Sequence, residues 1–128
     1  MELKFRDGLI PVIIQHQRDG EVLMLGYMNS EAYERTVRSG YVTFFSRSRQ
    51  KLWTKGETSG HRLRVKEVRV DCDADALLIL AELAGSGCCH MGYESCFYRR
   101  VSDGGEEVIL PRQFDPDEVY GKSGQEGK

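Results

Sequence analysis

The chain has 128 residues, 40% hydrophobic and 30% charged, with a formal net charge of −2. That is about one domain of roughly 100–200 residues, long enough to bury a core, and without a charge excess pointing to nucleic acid or a membrane as main partner. The longest apolar run, Ala76 to Ala81, is far short of the roughly 20 residues of a membrane helix; the N-terminus shows no secretory signal, so a cytoplasmic location is expected.

Short strands dominate the first half. Leu9 to His16 and Val22 to Tyr27 are apolar and rich in branched residues, and Arg18-Asp19-Gly20 between them is a hairpin signal. Ser30 as N-cap, Glu31 in the first turn and Gly40 past the end predict a helix over 31–39. Tyr41 to Phe45 reads as a strand. Residues 46–61 follow neither period, and so long a polar stretch inside a compact domain is usually functional.

Arg62 to Asp71 alternates, then changes phase after Val65, which predicts a bulged strand. Leu77 to Leu80 is a short buried strand, and Phe97 to Val101 with Glu107 to Leu110 form a last pair. Asp115-Pro116-Asp117-Glu118 starts a helical turn with proline at its first position. The expected class is α+β: a mostly antiparallel, barrel-like sheet with one main helix. One domain over 1–120 is expected, with a disordered tail at 121–128.

Four cysteines stand at 72, 88, 89 and 96. In a reducing compartment they read as ligands or catalytic thiols before disulfides. Close Cys-x-x-Cys pairs, the mark of zinc ribbons, do not occur. Adjacent Cys88 and Cys89 fit poorly on one ion, so Cys88 is the expected spare. Three thiolates, Cys72, Cys89 and Cys96, with an open position match a catalytic zinc whose fourth ligand is water. Ordinary core cysteines explain the same residues equally well, although the glycines at 85, 87 and 92 allow close backbone approach to a metal.

Asp71, Asp73 and Asp75 alternate around Cys72 and Ala74. In an extended segment they share one face and can converge on a hard cation such as magnesium, with Cys72 on the other face. The competing reading is a solvated acidic turn. An EF-hand is excluded by Ala76 at its glycine position and by flanks with strand pattern.

Residues 47–69 carry eight of the eighteen Lys and Arg. Ser46, Arg47, Arg49, Lys51 and Lys55 suit phosphate oxygens. Trp53 is either a base-stacking platform or a core residue, and single-stranded RNA could use the same features. His61 and His90 are the candidate general acids or bases; His16 reads as structural.

Four segments together resemble the phosphoribosyl-AMP cyclohydrolase family of histidine biosynthesis: Gly20 to Asn29, Ser46 to His61, Val70 to Ala76, and Cys89 to Arg99. The resemblance implies an enzyme that hydrolyses the C6–N1 bond of the purine in 1-(5-phosphoribosyl)-AMP. It implies zinc on Cys72, Cys89 and Cys96, magnesium on Asp71, Asp73 and Asp75, and an intertwined homodimer whose zinc site draws on both subunits. Two positions depart from the family pattern, Ala74 where glycine is common and the extra thiol of Cys88. A nucleobase deaminase is disfavoured, since neither His-x-Glu nor Pro-Cys-x-x-Cys occurs. A zinc-stabilised RNA-binding module is the remaining alternative.

Overall fold

The structure is a computed structural model that describes residues 2–120; the expected tail at 121–128 lies outside the described residues. Strands β1 (Ile10–His16) and β2 (Val22–Met28) form an antiparallel hairpin. Its turn is closed by Asp19, whose Oδ1 accepts the Glu21 N–H at 3.0 Å, and by Gly20 at φ +81°. Helix α1 (Ser30–Ser39) begins one residue earlier than expected, because Asn29 and not Ser30 caps it: the Asn29 Oδ1 accepts the Ala32 N–H at 2.8 Å. Gly40, left-handed at φ +82°, ends it as expected.

Strand β3 (Thr43–Ser46) pairs with a strand the sequence hides, β4 (Lys51–Thr54). The polar 46–61 stretch is therefore partly hairpin. Strand β5 (Leu63–Val70) carries the expected bulge, its register with β6 (Leu77–Leu83) shifting between Val65 and Glu67. Strands β7 (Arg99–Ser102) and β8 (Gly105–Val108) form a tight hairpin whose residues are all exposed, and α2 (Pro116–Tyr120) is the expected terminal turn.

The class is α+β, but among the described residues no barrel closes. The main sheet is open, in the order β2-β1-β6-β5, and mixed: β1 and β6 run parallel, with Val12 beside Leu77 and His16 beside Ala81. One face holds the core, where Ile10, Val12, Ile14, Leu77, Ile79 and Ala81 are buried. Helix α1 packs on β2 and β3, and the buried Thr36 hydroxyl ties it down, accepting the Thr43 N–H at 2.9 Å and donating to the Ala32 carbonyl. No helix among the described residues is long and apolar enough to cross a membrane.

Candidate active site

The six residues between β5 and β6 form a turn, which corrects the expectation of an extended segment. The three carboxylates do converge, but through this turn and not through strand alternation: one oxygen of each of Asp71, Asp73 and Asp75 lies within 4.8 Å of the others. Asp71 organises the loop, its Oδ1 accepting the N–H groups of Asp75 at 3.0 Å and Ala76 at 3.3 Å. Ala74 closes it at φ +59°, donating its N–H to the Asp71 carbonyl. Desolvation pushes the Asp71 carboxyl up, but these hydrogen bonds, led by the Asp75 N–H, hold it below the usual carboxylate value. An oxygen cluster of this kind, exposed at Asp71 and Asp73 and half-buried at Asp75, fits a hard divalent cation.

Cys72 is exposed on the same turn. Cys89 and Cys96 belong to the segment between β6 and β7, and their thiols contact each other. That contact, with burial, pushes the Cys89 thiol well above its ordinary value. The segment is internally tied, Cys88 and Cys89 donating their N–H groups to the Glu94 and Tyr93 carbonyls, both at 3.0 Å. It is tied to the main sheet as well, the Cys96 N–H donating to the Leu23 carbonyl at 2.7 Å.

None of the four cysteines forms a disulfide. Cys88 is fully buried within the apolar core cluster. Among the described residues, Cys72 does not join Cys89 and Cys96 in a group close enough to hold one ion. A pair of contacting thiols, Cys89 and Cys96, and a separate exposed thiol, Cys72, are what one copy of the chain offers.

The basic residues sit on the β3–β4 hairpin. Its turn is held from inside by buried Ser46, whose Oγ accepts the Arg49 N–H at 3.2 Å and lies 3.3 Å from the Ser48 Oγ. Gln50, at φ +53°, donates its side-chain amide to the Arg47 carbonyl at 2.7 Å. Arg47, Arg49 and Lys51 are exposed at this turn.

Arg47 stacks over the Tyr27 ring, 4.0 Å from its centroid, and both line a cleft of about 30 Å³ with Leu25, Phe44, Phe45 and Trp53. Trp53 itself is only 4% exposed and packs on Phe44 at 5.2 Å, so its ring serves the core and not an open stacking platform. Lys55 is equally buried, its Nζ 5.8 Å from the Trp53 ring.

His61 is half-buried. Its backbone N–H donates to the Ser59 Oγ at 3.1 Å, and its ring stands edge-on to Phe114 at 4.8 Å. The ring lies so close to Gly85 that a Cβ there would come within 2.3 Å of His61 Cδ2. Its Nδ1 is buried without a hydrogen-bond partner, a costly state for a ring nitrogen. His90, half-buried, adjoins Cys89. His16 is buried, and its Nδ1 accepts the Arg18 N–H in the β1–β2 turn, as a structural residue should.

The structure thus groups Asp71, Asp73 and Asp75, pairs Cys89 with Cys96, and collects Ser46, Arg47, Arg49 and Lys51 on one turn. Tyr27 and Ser95 escaped the sequence reading although both lie in the segments that carry the resemblance; a tyrosine or serine beside such motifs has no charge or spacing signal of its own.

The family model for phosphoribosyl-AMP cyclohydrolase matches residues 24–98. A relative named phosphoribosyl-AMP cyclohydrolase from Solibacter usitatus is 56% identical over 115 residues, covering 90% of this chain and 91% of its own. One of the same name from Methanosarcina barkeri is 58% identical over 118 residues, 92% of this chain and 88% of its own. A third, from Desulforapulum autotrophicum, is 55% identical over 123 residues, 94% and 98% of the two chains.

Proposed function

The chain belongs to the phosphoribosyl-AMP cyclohydrolase family, and from that membership we propose that it opens the purine ring of 1-(5-phosphoribosyl)-AMP by hydrolysing the C6–N1 bond. It is thereby a hydrolase of histidine biosynthesis, its catalytic domain formed by residues 1–120. The observation that carries this reading is identity of more than half across nearly the whole chain.

Cys72, Cys89 and Cys96 would hold zinc, which when bound activates water as a nucleophile near neutral pH. Asp71, Asp73 and Asp75 would hold magnesium, a hard cation that suits oxygen ligands and substrate phosphate. The residues fit both groups by donor chemistry, sulfur in one set and carboxylate in the other.

Substitution at N1 leaves C6 electron-poor. As water adds there, His61 takes a proton from it and returns one to N1 as the C6–N1 bond breaks, the exocyclic amine remaining in the product as a carboxamide. His90 is the alternative base. Arg47, Arg49 and Lys51 bind the two phosphates from an exposed turn, Ser46 fixes that turn, and Trp53 and Lys55 support it from beneath.

The separation of Cys72 from the Cys89–Cys96 pair within one copy supports a homodimer whose zinc ligands come from both copies. So does the apolar outer face of the main sheet, where Ile13 and Leu25 are exposed and a cleft of about 400 Å³ opens beside Asp71. The small nucleotide and the second copy are the partners this reading requires; neither nucleic acid nor membrane is one. A cytoplasmic location, where thiols stay reduced, suits the sulfur ligands.

The test is a spectroscopic ring-opening assay on the purified chain, before and after chelation and with zinc restored, alongside Cys96→Ala and a sedimentation measurement. Loss of turnover with zinc, recovery on re-addition and a dimeric mass are expected. Full turnover by metal-free protein would overturn the mechanism, and salt-sensitive RNA binding without turnover would favour an RNA-binding module.

A further inference from the structure

We propose that Ser95 is a positioning residue that fixes Cys96 against the edge of β2, and so sets the sulfur pair before any metal arrives; this rests on the reading of Cys89 and Cys96 as zinc ligands. β2 is an edge strand of the main sheet, so its outer carbonyls need partners from elsewhere. The segment carrying the sulfurs supplies them.

The Ser95 Oγ donates to the Val22 carbonyl at 2.6 Å and accepts the Phe97 N–H at 2.8 Å. Between these two bonds the Cys96 N–H donates to the Leu23 carbonyl at 2.7 Å. Ser95 is fully buried.

The residue type follows from this geometry. A hydroxyl has one donor and two acceptor lone pairs, so a single atom can both give to Val22 and take from Phe97. Alanine would leave the Val22 carbonyl and the Phe97 N–H without this partner next to a metal ligand. On the solvent side the same segment is held by Glu94, whose carboxylate lies 3.2 Å from the Arg18 guanidinium on the β1–β2 turn. On the other side Cys89 is tied to the Tyr93 carbonyl, so both sulfurs are referenced to one clamped stretch.

Groups that orient metal ligands typically contribute 10–100-fold in metal affinity. The experiment measures zinc affinity by chelator competition, and the thiolate-to-metal absorption of the cobalt form, for the full chain and for Ser95→Ala, Ser95→Thr and Cys96→Ala. Ser95→Ala is expected to lose about 10–100-fold in zinc affinity with an altered cobalt spectrum, while Ser95→Thr, which keeps the hydroxyl, recovers affinity. Ser95→Ala with wild-type affinity and spectrum would overturn the proposal, even if its melting temperature fell. Cys96→Ala retaining tightly bound zinc would instead overturn the zinc reading itself. Should the alanine variant fail to fold, hydrogen exchange on metal-free wild type decides: the Cys96 and Phe97 N–H groups are expected to be protected, and unprotected exchange in the folded protein would rule the clamp out.

Discussion

The N–H of Ala74 donates to the carbonyl of Asp71 at 3.1 Å, across a turn that holds Ala74 at φ +59°. An L-residue with a Cβ is disfavoured in that region by roughly 1–2 kcal/mol, and glycine is not. The acidic turn therefore folds with a local handicap. Ala74→Gly is expected to stabilise the protein by roughly 0.5–1 kcal/mol, after allowing for the greater entropy of glycine in the unfolded chain. A urea midpoint that stays put or falls would contradict it.

Gly26 shows the opposite case. A Cβ at this position would lie 2.5 Å from Phe44 Cε1, and Phe44 is buried and packed on Trp53. Gly26→Ala should cost about 1–3 kcal/mol as an overpacked contact. Denaturant titration measures it directly, and a neutral result would mean that the Phe44 ring yields to the added methyl at little cost.

Cys88 and Cys89 separate cleanly by surroundings. Cys88 lies in the apolar core, whereas Cys89 contacts Cys96. Cys88→Ala is expected to lower stability by about 1 kcal/mol and leave zinc content unchanged. Cys89→Ala should lose the metal. Metal analysis of the two purified variants checks this, and the reverse pattern would exchange their roles.

Asp19 gives a pH signature. Its carboxyl is held below the ordinary value of 3.8, chiefly by the Glu21 N–H and then by the Arg18 side chain. The unfolded state thus takes up the proton first as acid is added. The stabilisation is full at pH values above 3.8 and disappears as pH falls further, through the folded-state value. Wild type should be more stable than Asp19→Asn at neutral pH, with the difference shrinking in that acidic window. A gap that persists below it would place the effect on something other than the charge.

Much of this architecture was legible because its signals are local. Asp19-Gly20 marks the first turn, Gly40 stops the helix, and the change of phase after Val65 announces the bulge. The parallel pairing of β1 with β6 left no local trace, since it depends on which strands meet across the chain. β4 was invisible for another reason: Lys51-Leu52-Trp53-Thr54 is short and set among charges, and its pairing with β3 supplies what its pattern lacks. The aspartates were found for their residue type, but their convergence comes from Asp71 accepting backbone N–H groups, which spacing alone does not reveal. A lone Trp53 is more often core than a base platform, and the buried ring of Phe44 beside it shows why it is core here.

The parallel ladder has a consequence for how the chain reaches its native state. Val12 cannot meet Leu77 until everything between them has been synthesised and arranged. The first hairpin and α1 therefore emerge from the ribosome with one flank of β1 bare, awaiting a segment still to be made. Contacts between such distant positions slow folding, so assembly of this sheet is expected to finish late, with β6 slotting in beside a waiting β1.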